Sequence, residues 1–139
     1  MRYWDSSALV SLLVDEAPSK ARRASLREDP MILTWWLSAV ECASALNRLH
    51  RDRAISVAGL DQALRRLRRL SAAWAEVQPG ERVRSRALRL LRLHPLHAGD
   101  ALQLAASLVA CEEEPASLAF VCSDDRLAAA ARNEGFSVV

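Results

Sequence analysis

Residues 1–14 read MRYWDSSALVSLLV, and the order of residue types in this stretch predicts a strand, a tight turn and a helix. Met1 to Trp4 is short, aromatic and apolar-leaning, as a buried strand is. The apolar residues end at Asp5-Ser6-Ser7. Asp and Ser are residue types whose side-chain oxygens cap the first turn of a helix. Ala8 to Val14 then has the apolar composition of a helix packed in a core. The stretch therefore predicts that Asp5 lies at the junction between a strand and the helix that follows it.

The same order of strand and helix recurs along the chain. Met31 to Thr34 is a second predicted strand, and Ala119 to Cys122 is a β-rich run that stops at Ser123-Asp124-Asp125. Phe136 to Val139 is predicted as a final strand. Strands that alternate with helices form a mainly parallel sheet, because parallel neighbours need helical crossovers. We therefore expect an α/β fold in which helices flank a mainly parallel central sheet.

Caps and apolar spacing mark the other helices. Pro18-Ser19 begins a helix whose polar face carries Lys20, Arg22, Arg23 and Arg27. Ser38-Ala39-Val40-Glu41 has the Ser-x-x-Glu form of a capping box and opens a helix through Leu49. The remaining helices are predicted over Leu60 to Trp74, Arg82 to Leu93, Ala101 to Ala110, and Leu127 to Arg132, the last of which Gly135 ends.

The composition is that of one globular domain, which we expect to span residues 1–139. The chain is 51% apolar and 26% charged, which excludes a disordered or fibrous protein. No apolar run approaches the roughly 20 residues that a membrane helix needs. Asp5 lies too close to Met1 for an apolar signal-peptide core, so a cytoplasmic protein is expected. Cys42, Cys111 and Cys122 are scattered and odd in number, which argues against a disulfide framework and a cysteine-based zinc site.

Arginine carries nearly all of the positive charge, since Lys20 is the only lysine. This bias has two possible explanations. Arginine binds phosphate with a planar fork, which would suit an RNA partner, but a genome that favours arginine codons has the same effect. The run Arg65, Arg66, Arg68 and Arg69 could follow an RNA backbone, although a solvated helix face is the commoner meaning of such a run.

Four acidic residues are candidates for a shared site. Asp5 and Asp124 each follow a predicted strand, and sites in parallel sheets form beyond the carboxyl ends of the strands. Glu41 could reach that edge from its helix, whereas periodicity alone does not place Asp100 there. Clustered carboxylates repel one another unless a cation joins them, and Mg²⁺ or Mn²⁺ is the natural one. Any one of these acids taken alone is more often a helix cap than a ligand, so the functional interpretation rests on their combination.

The combination of these acids resembles the PIN-domain ribonuclease family. Trp4 to Leu9 is similar to the family's opening acidic element, and Leu37 to Glu41 with Ala45-Leu46 is similar to its second. His94-Pro95-Leu96-His97-Ala98-Gly99-Asp100-Ala101-Leu102-Gln103-Leu104-Ala105 is similar to the third, and Phe120 to Leu127 to the fourth. These elements occur in the family's order and span essentially the whole chain. Length and spacing are most similar to VapC toxins of bacterial toxin-antitoxin pairs.

This resemblance implies a three-layer PIN-like domain that acts as a Mg²⁺- or Mn²⁺-dependent endoribonuclease. Carried over position by position, Asp5, Glu41, Asp100 and Asp124 become the catalytic, metal-binding acids, and Ser7 becomes a polar neighbour that orients water or ligand. The resemblance also implies neutralisation by a small cognate antitoxin protein, and homodimers are usual in the family.

The chain departs from the family pattern at two points. The family often has Thr or Ser two residues before its last acid, and this chain has Cys122 there, which removes one polar contact. Asp124 and Asp125 are adjacent, so the fourth acid could be either one. We prefer Asp124 because it keeps the usual spacing to Leu127.

Other functions remain in competition with the toxin. A PIN nuclease of RNA processing without an antitoxin is one alternative, and a PIN-like module that binds RNA or protein without cutting is another. A phosphoryl-accepting receiver domain would need a lysine late in the chain, and Lys20 lies near the start. A phosphatase with an aspartate nucleophile would carry a second Asp where this chain has Ser7.

Overall fold

The computed structural model describes all residues from 1 to 139. The strands are β1 (Arg2–Trp4), β2 (Ile32–Trp35), β3 (Ala75–Val77) and β4 (Phe120–Val121). The α-helices are α1 (Ser6–Leu13), α2 (Ser19–Glu28), α3 (Ser38–Arg51), α4 (Val57–Ser71), α5 (Glu81–Leu93), α6 (Ala98–Ala110) and α7 (Asp125–Asn133). A short 3-10 turn spans Pro115–Ser117. No helix combines the length and the apolar character that a membrane crossing requires.

The four strands form one sheet in the order β3-β2-β1-β4, and every neighbouring pair is parallel. The predicted α/β fold with a parallel sheet is therefore confirmed. The chain moves outward from β1 to one side through β2 and β3, and later returns to the other side of β1 to form β4. The strand order thus reverses at the carboxyl ends of β1 and β4, which is where parallel sheets open a crevice.

Two apolar cores lie on opposite faces of this sheet. Tyr3 and Phe120 belong to a core that α5, α6 and α7 cover, whereas Trp4 and Val121 belong to a second core that α1, α3 and α4 cover. Because successive side chains of a strand point to opposite faces, each pair of neighbours supplies one residue to each core. The result is the three-layer arrangement that the family resemblance implied.

Two strand predictions differ from the structure. β3 was not predicted, since it has only three residues at the edge of the sheet and none of them is buried. The predicted final strand Phe136 to Val139 is not a regular strand and makes one parallel bridge, between Phe120 and Val138. The segment nevertheless runs beside β4, since the Phe120 N–H donates to the Ser137 carbonyl at 2.9 Å and the Val139 N–H donates to the Phe120 carbonyl at 2.9 Å.

The predicted capping box at Ser38 was wrong. Ser38 is the first residue of α3 and not its cap, and Leu37 precedes the helix without a side-chain hydrogen bond. The Ser38 hydroxyl instead pairs with Thr34 Oγ1 at 2.6 Å and accepts from Gln103 Nε2 at 2.9 Å. A fully buried hydroxyl is stabilised by such partners, and they displace the local cap. The prediction that Gly135 ends α7 is consistent with its φ of 98°, a conformation that glycine adopts without strain.

Arg22 on α2 fastens the end of β4 to the C-terminal segment. Its guanidinium donates to Ser123 Oγ at 2.9 Å, to the Cys122 carbonyl at 2.6 Å and to an oxygen of Val139 at 2.7 Å. The sequence pattern placed Arg22 beside Arg23 on a polar helix face. Arg23 is indeed exposed, and it pairs with Asp15 at 3.0 Å.

We expect Arg22→Ala to lower the free energy of unfolding by about 2 kcal/mol, because it removes three charge-assisted hydrogen bonds, two of them to main-chain oxygens. Arg23→Ala is the matched control and should change stability by less than about 0.5 kcal/mol, since exposed ion pairs contribute little. Urea unfolding of both variants measures the difference. Equal losses in the two variants would contradict a structural role for Arg22.

Candidate active site

The side chain of Asp5 lies at the carboxyl end of β1, where the strand order reverses. It caps α1 by accepting a hydrogen bond from the Ser7 backbone N–H at 2.9 Å, and it also accepts from the Ser7 hydroxyl and the Cys122 thiol. All three bonds reach Oδ2, which leaves Oδ1 available to an ion or a water. Ser7 thus holds the carboxylate in one orientation.

Asp5 is only 3% exposed and makes none of the ion pairs of the structure. Burial raises its pKa from 3.8 to about 6, and the charge of Glu41 adds to the rise, although the hydrogen bonds from Ser7 oppose it. A carboxylate that is buried without a positive partner is destabilised in its charged form. The site therefore favours a cation at this position.

Glu41 and Asp100 stand on two other helices and line the same cleft as Asp5. All three carboxylates line one cleft of about 470 Å³, which we call the acidic cleft and whose wall also includes Gln103. Glu41 stands on α3, and the missing Cβ of Gly99 would lie 3.6 Å from its Oε1. Asp100 is in the first turn of α6, where it accepts from the His97 backbone N–H at 3.1 Å and lies 3.5 Å from Arg126. The structure thus brings three of the four predicted acids together.

Asp124 lies in an adjoining cleft and not in the acidic cleft. This second cleft of about 330 Å³, which we call the Asp124 cleft, is also lined by Glu16 and Ser123. Asp124 caps α7 by accepting from the Leu127 N–H at 2.8 Å. Asp125 is exposed and lines neither cleft.

The two clefts meet along four residues that line both of them, Ser7, Val10, Ala45 and Arg48, and we call these the shared ridge. Ser7 supports both sides, because its hydroxyl bonds to Asp5 and accepts from the Ser123 backbone N–H at 2.9 Å. Ser7 therefore links the end of β1 to the end of β4.

A buried hydrogen-bond network orients Glu41. Gln103 Nε2 donates to Glu41 Oε2 at 2.6 Å and to Ser38 Oγ at 2.9 Å, and Tyr3 Oη donates to Gln103 Oε1 at 2.9 Å. Burial and the charges of Asp5 and Glu41 hold the pKa of Tyr3 well above its ordinary value, so its hydroxyl stays a donor. The amide orientation of Gln103 follows, and its second N–H is directed at Glu41.

The remaining bonds of this network have only one consistent direction. Thr34 Oγ1 donates to the Trp4 carbonyl at 2.6 Å, so it must accept from the Ser38 hydroxyl. Ser38 in turn accepts from Gln103. Thr34, Ser38 and Gln103 are all at most 1% exposed, and each has its donors and acceptors occupied. Buried networks whose hydrogen bonds are all formed are rigid, so the bond from Gln103 holds Glu41 in one position.

Three further residues of this region were not predicted as site residues: Gln103, Arg48 and Arg126. A helical signal existed for two of them. Gln103 lies one turn after Asp100, and Arg48 lies two turns after Glu41, so each shares a helix face with an acid. Arg126 meets Asp100 only through the packing of α7 near α6, which no local pattern reveals.

Cys122 occupies the position where the resemblance expected Thr or Ser. Its thiol is buried 3.7 Å from both Ser7 Oγ and Asp5 Oδ2, and burial raises its pKa to about 12. The thiol is therefore neutral and a weak donor. The resemblance implied that a polar contact is lost at this position, whereas the Cys122 thiol keeps a weak contact to Asp5.

A parallel sheet with carboxylates gathered at its switch point defines an α/β domain with an acidic cleft. The family model described as PIN domain matches residues 2–133. The chain therefore belongs to the PIN-domain family, whose members are generally nucleases that use divalent metal ions.

The solved structures include a protein with the same fold. It comes from a toxin-antitoxin complex of Klebsiella pneumoniae and has 15% sequence identity and a TM-score of 0.65. The match covers 100% of this chain and 96% of the other. No protein of curated function matches the chain significantly. At this identity the likeness shows the fold alone.

The donors of the acidic cleft fit a hard divalent ion that is held loosely. No group of three or more His, Cys, Asp or Glu side chains is arranged so that it could hold a metal ion by itself. Mg²⁺, however, usually keeps several waters and is held by one or two carboxylates together with phosphate oxygens of a substrate. The buried carboxylate of Asp5 has no cationic partner, and Glu41 and Asp100 line the same cleft, which suits such an ion.

Proposed function

We propose that this chain is a single PIN domain over residues 1–139 that hydrolyses RNA phosphodiesters as a Mg²⁺- or Mn²⁺-dependent endoribonuclease. The observation that carries the proposal is the convergence of Asp5, Glu41 and Asp100 in one cleft at the switch point of the sheet. Carboxylates in such a cleft attract a divalent ion and, through it, a phosphate.

Asp5, Glu41 and Asp100 would hold the ion, and Asp124 would contribute from the adjoining cleft. A divalent ion bound there supplies Lewis-acid stabilisation of the negative charge that develops on the phosphodiester. The chain's own part is orientation. Ser7 fixes Oδ2 of Asp5, and Gln103 fixes Oε2 of Glu41, so that these acids need little rearrangement to bind.

We further propose that the protein is the toxin of a type II toxin-antitoxin pair. It would act in the cytoplasm as a homodimer, and a small cognate antitoxin protein would neutralise it. The resemblance of its motifs to VapC toxins supports this proposal, as does the likeness to a protein of a toxin-antitoxin complex. A neighbouring gene for a small DNA-binding protein would add support, and an isolated gene would favour a PIN nuclease of RNA processing.

Cleavage of a mixed structured RNA tests the ribonuclease proposal. Purified protein, freed of any partner, should cut the RNA with Mg²⁺ or Mn²⁺ and not with EDTA. Asp100→Asn should cut at least about a hundredfold more slowly, because it removes a charge from the cleft at nearly constant shape. Asp125→Asn is the matched control, since this neighbouring acid is exposed and lines neither cleft.

Undiminished cleavage by Asp100→Asn would refute the assigned site. Folded wild-type protein that binds RNA without cutting it in either metal would favour a non-catalytic binding module.

A further inference from the structure

Arg48 is the one cation on the shared ridge between the two clefts. It lies seven residues after Glu41 on α3, so both side chains project from the same helix face. The other ridge residues are Ser7, Val10 and Ala45, none of which carries charge. Any chain that extends from the acidic cleft into the Asp124 cleft must therefore pass Arg48.

The guanidinium of Arg48 is free. It is exposed and takes part in none of the ion pairs of the structure, although acids line the clefts on both sides of it. Two other arginines contact residues that line the clefts, and both are engaged. Arg126 lies against Asp100, and Arg22 donates to the segment from Cys122 to Ser123 and to Val139.

The negative charge of the two clefts explains why an unpaired arginine between them could matter for binding RNA. Asp5, Glu41 and Asp100 repel a polyanion, and Glu16 and Asp124 do the same in the second cleft. An RNA strand that lies across both clefts needs a positive group between them. Arginine meets this need well, because its planar fork can donate two parallel hydrogen bonds to one phosphate.

We propose that Arg48 binds a backbone phosphate of the RNA strand, next to the scissile one, where the strand crosses from the acidic cleft to the Asp124 cleft. This proposal rests on the proposed ribonuclease function and assigns the two clefts to one continuous substrate path. It makes Arg48 a substrate-binding residue that needs no metal ion for its contact.

Binding in EDTA tests the contact without cleavage. The probe is a fluorescently labelled single-stranded oligoribonucleotide of mixed sequence, and its anisotropy reports the dissociation constant. Arg48→Ala should weaken binding about tenfold, and Arg48→Lys by a smaller factor, since lysine keeps the charge and loses the fork. Arg51→Ala removes the same charge from the same helix outside both clefts and should change binding less than about twofold.

Two further readouts separate phosphate binding from other roles. The slope of log Kd against log salt should become shallower by about 0.7 in Arg48→Ala, as expected for one lost phosphate contact on a single strand. With Mg²⁺ present, the KM of Arg48→Ala should rise about tenfold while kcat changes less than about threefold, because the contact is made equally in the ground state and the transition state.

The outcomes also separate this inference from the proposed function. If wild-type protein cuts RNA and Arg48→Ala matches Arg51→Ala in binding and KM, only the inference falls. A loss confined to kcat would overturn it as well, as would metal-free wild-type protein that does not bind the strand. Wild-type protein that neither binds nor cuts RNA would remove both proposals.

Discussion

Asp5→Asn should stabilise the metal-free protein at neutral pH while removing its catalytic activity. The stabilisation follows from burial, which raises the pKa of Asp5 from 3.8 to about 6 in the folded protein. A group whose pKa is raised by folding contributes stability below its unfolded pKa, and this contribution is lost as the pH rises through the folded value. Asparagine stays neutral at every pH and avoids that loss, and its side-chain oxygen can still accept the Ser7 N–H.

The stabilising effect should therefore grow with pH. In EDTA, Asp5→Asn should exceed the wild type in free energy of unfolding by about 1 kcal/mol at pH 4.5 and by about 3 kcal/mol at pH 8. Urea unfolding at the two pH values measures the change. Asp125→Asn, an exposed acid, is the control and should show no comparable gain. A variant less stable than the wild type at pH 8 would show that the Asp5 charge is compensated in the fold.

Asp5→Asn should lower the rate of cleavage even though it raises stability. Removing the buried charge deprives the cleft of the acid that most needs a cation, so cleavage should fall at least about a hundredfold. Mg²⁺ should raise the melting temperature of the wild type at pH 8 and raise that of Asp5→Asn much less, because a ligand stabilises only the state that binds it. Equal shifts would exclude Asp5 as a metal-binding residue.

Gln103→Leu should cost about 3 kcal/mol of stability. Leucine is close in size, but it removes the bonds that the Gln103 amide makes to three partners, the Tyr3 hydroxyl, Ser38 Oγ and Glu41 Oε2. Buried polar groups without partners carry most of the energetic cost of a broken network. Ser107→Ala is the matched control one turn further along α6. Its buried hydroxyl bonds only to the Leu104 carbonyl within the helix, so the loss should be about 1 kcal/mol or less.

The same variant should impair catalysis beyond its effect on folding. Without the Gln103 amide, Glu41 loses the donor that orients it, and loss of such a supporting contact typically lowers metal affinity or activity 10- to 100-fold, roughly. Cleavage should be measured at a temperature where the variant is fully folded by circular dichroism. If folded Gln103→Leu cuts at the wild-type rate with the wild-type Mg²⁺ requirement, the network is structural only.

The sequence predicted the elements whose signals are local. Neighbouring residues predict the strand-to-helix junctions at Asp5 and at Asp124, because a side-chain cap acts within three or four positions. The alternation of such units also predicted the parallel sheet. β3 could not be found in the same way, since a strand of three partly exposed residues has no periodic pattern to detect.

Ser38 and the pair Arg22 and Arg23 show where local sequence patterns no longer predict which partners a side chain contacts. Ser38 and Glu41 have the spacing of a capping box, yet Ser38 bonds to Thr34 and Gln103 instead. Arg22 and Arg23 are adjacent and chemically identical, yet one fastens the C-terminal segment and the other forms an exposed ion pair. The choice in each case depends on partners that lie far away in sequence.

The sequence by itself determined the type of fold, because strand and helix signals lie within short segments. It named the four candidate acids through the resemblance of their motifs to the PIN-domain family. Only the tertiary structure decided that Asp5, Glu41 and Asp100 share one cleft while Asp124 lines its neighbour. It alone also placed Gln103 against Glu41, 62 positions away, and left Arg48 free on the ridge between the clefts. The physical reason is that caps and periodicity act within a few residues, whereas burial, charge and buried hydrogen bonds depend on which distant segments pack together.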